Sequence, residues 1–167
     1  MNICCTKKLL SELKKNPGKK DAIIDSFWNW HANTFDIERR KCVLVTNDIT
    51  LFTIFIPGLK KPDFQAFHFI FGQQLFKNLI YEKIPQKQIE TILSECEDIQ
   101  YKRTNNRSVL GSMNELKFQL EYHIEAQGGL AKTDIFELNH QLNRTIMSPI
   151  KYNHPIEMFK EKIQEIL

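Results

Sequence analysis

The run Leu51-Phe52-Thr53-Ile54-Phe55-Ile56 has a single polar residue, so a strand built from it is apolar on nearly both faces. Such a strand belongs in a protein interior, and Pro57-Gly58 reads as its stop. Upstream of it, from Phe27 onward, aromatic and β-branched residues dominate, two-residue alternation is partial, and no 3.6-residue stripe is sustained. Strands are therefore expected over residues 27–36, 41–47 and 50–56. Thr46-Asn47-Asp48 supplies the turn before the last of them, because Asn and Asp tolerate left-handed dihedrals and bond their own backbone.

On both sides of this block the period changes to that of a helix. Thr6 to Lys15 puts Leu9, Leu10 and Leu13 on one face among lysines, and Asn16-Pro17-Gly18 stops it. After Pro62, the residues Phe64, Phe67, Phe71, Leu75 and Leu79 step along one face, widened by Ile70 and Phe76, as a central helix requires. Pro85 opens a helix carrying Ile89, Ile92, Leu93 and Cys96, and Ile99 to Arg103 reads as an extended return to the sheet. The longest helix carries Val109, Met113, Leu116 and Leu120 toward Glu125, with Gly128-Gly129 beyond it. Ser112 and Glu115 match a capping box that would start this helix at Ser112 and leave Arg107 to Gly111 as a loop. Two more helices open at Thr133 or Asp134 and at Pro155. Strands gathered early and helices elsewhere give the α+β class, with a small antiparallel sheet of about three to four strands packed against several helices. Residues 1–167 read as a single domain in which 130–167 form a helical C-terminal extension.

The chain has 167 residues, 42% hydrophobic and 11% aromatic, which is enough for a sizeable core, and its six glycines and six prolines exclude a low-complexity chain. Its formal charge of +3 is too small to mark the whole protein as a nucleic-acid binder. The surplus lies in the first half, where residues 1–83 carry 13 basic and 8 acidic side chains against 10 and 12 afterwards. It sits in short clusters, Lys7, Lys8, Lys14, Lys15, Lys19 and Lys20, then Arg39, Arg40 and Lys41, which suit a solvated helix face and a turn. Cys4, Cys5, Cys42 and Cys96 lack paired C-x-x-C spacing, and His68, His123, His140 and His154 lack metal-binding spacing, so neither metal nor cofactor is expected. No apolar run is long enough to span a membrane, and the expected setting is the cytoplasm with reduced thiols.

Two local compositions carry chemistry. In Trp28-Asn29-Trp30-His31-Ala32-Asn33, strand geometry puts Asn29, His31 and Asn33 on the face opposite Trp28, Trp30 and Ala32. That polar row can bond a ligand, a base edge or a phosphate, and His31 can move a proton near neutral pH; equally, it can bond a neighbouring loop. In Arg103-Thr104-Asn105-Asn106-Arg107-Ser108, arginines and hydroxyls precede a helix start near Ser112, an arrangement suited to an anion, with Gly111 allowing close approach. Ordinary helix capping explains the same residues, and the spacing is not that of a P-loop. Arg39, Arg40 and Lys41 are expected in the turn joining the first two strands, where they can contact phosphates or simply solubilise. No nucleophile elbow and no activated cysteine motif is present.

The blocks Cys5-Thr6-Lys7-Lys8-Leu9-Leu10, Trp30-His31-Ala32-Asn33, Arg39-Arg40-Lys41-Cys42, Thr46-Asn47-Asp48 and Arg107-Ser108-Val109-Leu110-Gly111-Ser112-Met113-Asn114 together resemble an uncharacterised bacterial family built on a domain of unknown function. The resemblance covers residues 3–125 and implies a bacterial cytosolic protein with no assigned activity, cofactor or catalytic residue. Helices after Gly129 fall outside it and are expected to be peculiar to this protein.

Three functions are expected. The first is a noncatalytic binding protein for nucleic acid or another phosphate ligand, using Arg39, Arg40, Lys41, Arg103, Arg107, Ser108 and Ser112. The second is a small metal-independent nuclease or phosphotransfer enzyme, with His31 as acid or base and Arg103 or Arg107 stabilising negative charge, which requires those residues to converge. The third is a protein-interaction module presenting an exposed aromatic patch.

Overall fold

In a computed structural model, which describes residues 1–17 and 26–166, the alternation of the early strands resolves into one mixed sheet. Its strands are β1 (Asn2–Cys5), β2 (Asn29–Ile37), β3 (Arg40–Asn47), β4 (Thr53–Leu59) and β5 (Gln100–Arg103). The helices are α1 (Lys7–Leu13), α2 (Lys61–Gln65), α3 (Phe67–Tyr81), α4 (Gln86–Ser94), α5 (Arg107–Ala126), α6 (Ile135–Leu142) and α7 (Pro155–Ile166). The strand order is β4-β3-β2-β1-β5, with β2, β3 and β4 an antiparallel meander and β1 parallel to both β2 and β5. The fold is thus α+β with a largely antiparallel sheet, as expected. The sheet gains a strand at the amino terminus, because Asn2-Ile3-Cys4-Cys5 is too short to display alternation on its own. Gly18, Lys19 and Lys20 lie outside the described residues.

Helices cover both faces, which explains a strand apolar on both sides. Phe52, Ile54 and Ile56 enter one core with Trp30, Ala32, Val43 and Val45, under α1, α3, α4 and α7. Leu51 and Phe55 enter the other with Leu44 and Phe35, under α5 and α6. Residues from 130 onward contribute to both layers: Leu138 and Leu142 to the second core, Ile156, Phe159 and Ile163 to the first. Among the described residues, no helix is long and apolar enough to cross a membrane.

Several boundaries differ from expectation, among them the start of β2, which lies at Asn29 and not at residue 27. Pro57-Gly58 does not stop β4, which continues to Leu59. The strand is an edge, where proline forfeits no ladder bond, and Gly58 at φ +72° accommodates the register shift opposite Lys41 to Val43. Leu51, at φ +58°, and Phe52 belong to the preceding loop. The long helix begins at Arg107 and not at Ser112: Asn106 Oδ1 accepts the Ser108 and Val109 N–H groups at 3.0 and 3.2 Å, taking the capping role first. The apolar face after Pro62 is broken at Ala66 into α2 and α3.

The free edge of β4 is closed by side chains. Asn143 Oδ1 accepts Thr53 N–H at 2.7 Å while its Nδ2 donates to Thr53 O at 2.8 Å. Asn139 treats Phe55 likewise, accepting at 2.9 Å and donating at 3.4 Å. Four residues of helix rise about 6 Å and two residues of strand about 7 Å, so amides at i and i+4 on α6 meet alternate peptides of the edge. Both asparagines are buried. Replacing either by Ala leaves a buried N–H and C=O without partners and is expected to cost about 1–3 kcal/mol. Urea unfolding of Asn139→Ala and Asn143→Ala tests this, and midpoints equal to that of the parent protein would show that the amide pairing does not stabilise the edge.

Candidate functional site

On the polar face of β2, Asn29 and His31 are buried and Asn33 is half-buried, and each of the three meets a polar partner on β1 or an adjoining turn. Register pairs Asn29 with Asn2, His31 with Cys4, and Ala32 with Cys5. Asn2 Nδ2 donates to Asn29 Oδ1 at 2.9 Å, and the Thr6 hydroxyl donates to Asn33 Oδ1 at 2.9 Å. Between them His31 is wholly enclosed, with Nδ1 at 2.6 Å from Asp48 Oδ1. The backbone N–H groups of Asn105 and Asn106 donate to its Nε2 at 3.4 and 3.3 Å. Two donors on Nε2 require a lone pair there, so the proton rides on Nδ1 and points at the carboxylate.

Asp48 is aimed by the turn that carries it. Buried Asn47 donates to Phe27 O at 2.7 Å and accepts from Ile49 N–H, Thr50 N–H and the Thr50 hydroxyl at 3.2, 3.0 and 2.9 Å. Asp48 N–H donates to Asn29 O at 3.0 Å. His31 opposes Thr46 on β3, whose hydroxyl lies 2.9 Å from that of Thr53 on β4.

Cys4 beside His31, with Asp48 behind it, has the composition of a cysteine hydrolase. Its chemistry differs: burial pushes the Cys4 thiol up to about 12, aided by the Asp48 charge and opposed by Lys102. Burial also raises Cys5, Cys42 and Cys96, the last to about 12. A thiol held that high is protonated at neutral pH and is a poor nucleophile. Both ring nitrogens of His31 are engaged as well, so the histidine ties three segments together.

The basic residues separate into two places. Arg39, at φ +64°, and Arg40 are exposed at the β2–β3 turn, and Lys41 pairs with Glu12. Arg103 ends β5, three strands across and five residues along from Arg40, about 20 Å away by sheet geometry. Arg107 and Ser108 are exposed in the first turn of α5, Ser112 is buried with its hydroxyl donating to Ser108 O at 3.2 Å, and Gly111 faces open space. Of the expected anion-binding residues, Arg103 lines a cleft of about 420 Å³, with Lys7, Ser11, Lys15 and Thr104 over a floor that includes Cys5 and Leu10. In sequence Lys7 and Lys15 have the pattern of a solvated face. Their signal lies in position: Lys7 comes almost directly after β1, and Lys15 Nζ lies 5.7 Å over the Tyr101 ring.

The cleft opens at the carboxyl ends of β1 and β5. Chain order reverses there, since β1 is followed by β2 on one side and β5 adds on the other, and crevices at such points are the usual ligand sites of open sheets with helices on both faces. Among the described residues, Lys7, Lys15 and Arg103 form no ion pair.

Comparison with known proteins gives a family match. The model of a family described as Domain of unknown function (DUF6933) matches residues 2–158, past the expected limit at residue 125 and through α6 into α7. No curated protein and no solved structure matches the chain.

Two measurements test the site chemistry. Nitrogen-15 spectra of the imidazoles should place the His31 proton on Nδ1, and a proton on Nε2 would rule out the two backbone contacts. Because raised thiol pKa values keep the thiolate fraction small at pH 7–8, native protein should resist alkylation and denatured protein should take up four equivalents. Rapid labelling of native Cys4 would contradict its burial.

Proposed function

The chain belongs to the DUF6933 family, and we propose that it is a noncatalytic binding protein for a small phosphate-bearing ligand, held in the cleft between α1 and the end of β5. The observation that carries this reading is the convergence of Lys7, Lys15 and Arg103, three cations without a carboxylate among the described residues, on one recess. Uncompensated positive charge facing a partly enclosed space favours a multiply charged anion, and an arginine fork adds bidentate geometry to two ammonium point charges. Ser11 and Thr104 supply hydroxyls for further phosphate oxygens. The recess matches a phosphorylated metabolite or nucleotide in size, and its lining includes Leu10 and Pro17 for an apolar portion.

Binding is favoured over hydrolysis because His31, the expected acid or base, is enclosed and has both nitrogens occupied. A polymer tracked by the hairpin turn is less well supported, since Arg39 and Arg40 lie about 20 Å from Arg103. A second reading, protein interaction, rests on exposed Phe69 and Phe76, which flank a 580 Å³ apolar groove between α3 and α4.

Calorimetric titration with inorganic pyrophosphate, repeated at several salt concentrations, decides the matter. Saturable binding that weakens with salt is expected, with a loss of about tenfold for Arg103→Ala. The double variant Arg39→Ala, Arg40→Ala should bind as the parent protein does. Loss of binding in that double variant with Arg103→Ala unaffected would move the site to the hairpin turn.

A further inference from the structure

We infer that His31 is the positioning residue of the cleft, holding Arg103 and Thr104 in their binding geometry through the backbone of the next two residues. The inference rests on the binding function proposed for the cleft and adds a device that controls it. Arg103 and Thr104 are the cleft's contribution from the β5 side, and from them the chain enters the short connection to α5. Among the described residues, that connection has few anchors. Thr104 N–H donates to Cys5 O at 3.3 Å, prolonging the β1–β5 ladder by one residue, and Asn106 then caps α5. The N–H groups of Asn105 and Asn106 both end on His31 Nε2. Without that acceptor, two consecutive donors beside a buried ring lose their partner within the protein, and the turn reorganises to pair them elsewhere or with water.

Asp48 determines whether the acceptor exists. With its carboxylate 2.6 Å from Nδ1, the proton is held there and Nε2 is a lone pair. If the proton moves to Nε2, that nitrogen meets two N–H groups head-on. The groups that face the ring by element are Asp48 from the turn after β3, Cys4 from β1 and Thr46 from β3, with Lys102 of β5 in register with Cys4. Cys4 stays neutral because burial raises its thiol, so Asp48 is the charge in contact with the ring. A proton choice inside the sheet is in this way transmitted over three residues to a guanidinium at the cleft.

The test compares variants that keep or remove the two functions of the ring, using pyrophosphate as the probe. His31→Gln can donate to Asp48 with its amide nitrogen and accept from the turn with its amide oxygen, and it should retain affinity within about threefold. His31→Leu fills similar space with no acceptor and should lose about tenfold or more, at a temperature where circular dichroism shows it folded. Should His31→Leu fail to fold, Asp48→Ala takes its place: it leaves His31 present but frees its tautomer, and the same loss is expected. Asp48→Asn, which still accepts from Nδ1–H, should bind like the parent protein. In the parent protein, saturating pyrophosphate should slow hydrogen exchange at the Asn105 and Asn106 amides. A purely stabilising role for His31 would lower thermal stability in the leucine variant and leave affinity and exchange unchanged, which overturns the inference while Arg103→Ala still weakens binding. Absence of pyrophosphate binding by the parent protein overturns the cleft reading and this inference together.

Discussion

One imidazole joins the parts of this fold that are remote in sequence. His31 stands in the second strand, bonds the turn after the third strand through Asp48, and receives the backbone just ahead of the longest helix. The ring itself is fully buried and each of its bonds is at least part-buried, where a hydrogen bond is electrostatically stronger than in water and an unmade one is costly. The arrangement is all-or-none in character: the ring, the carboxylate and the two amides are satisfied together or two of them are stranded. The position of α5, and with it the second core under the sheet, depends on where its first turn is tied.

The order of the strands makes this tie necessary. The four-residue strand β1 lies between β2 and β5, so its backbone is bonded on both sides, and Ile3, Cys4 and Cys5 are buried between helical layers. A sheet completed by a strand from beyond residue 100 has a long return path, and the α+β character arises because the remaining strands form a local meander. At the other border, β4 ends the sheet against α6, whose asparagines present amides where another strand would present peptides. The two borders are managed differently. The β5 side is short and carries Lys102 and Arg103, and the β4 side is covered.

Legibility in the sequence depends on the physics of each element. The meander is readable because long strands show their period, and the doubly apolar run 51–56 announces a sheet buried on both faces. The cap at Asp134 and the opening at Pro155 are readable because they are local, and the cap at Asn106 loses to a competing match at Ser112 for the same reason: local patterns do not say which of two valid caps is used. Strand β1 is too short to show a period. The Asn29, His31 and Asn33 face is legible as a face, but its partners Asn2, Thr6 and Asp48 are set by register, which no window of sequence contains. Lys7 and Lys15 read as solvated because charge clustering alone does not say whether a groove lies between the charges. Asn139 and Asn143 do carry a signal, two amides at helical spacing beside Leu138 and Leu142 on a face that is otherwise core.

Closure of β4 by α6 also has a consequence in time. Thr53 and Asn143 are 90 residues apart, and at a synthesis rate of roughly 5–20 residues per second the edge waits several seconds or more after emerging before its cover is made. During that interval the meander is an open template for any neighbouring nascent chain. The strand carries its own interim guards, Pro57, which offers no donor, and the pair Lys60-Lys61 just past its end, which repel a second copy brought alongside. Pro57 and the two lysines lie beyond Thr53 and Phe55, the edge peptides that α6 later covers.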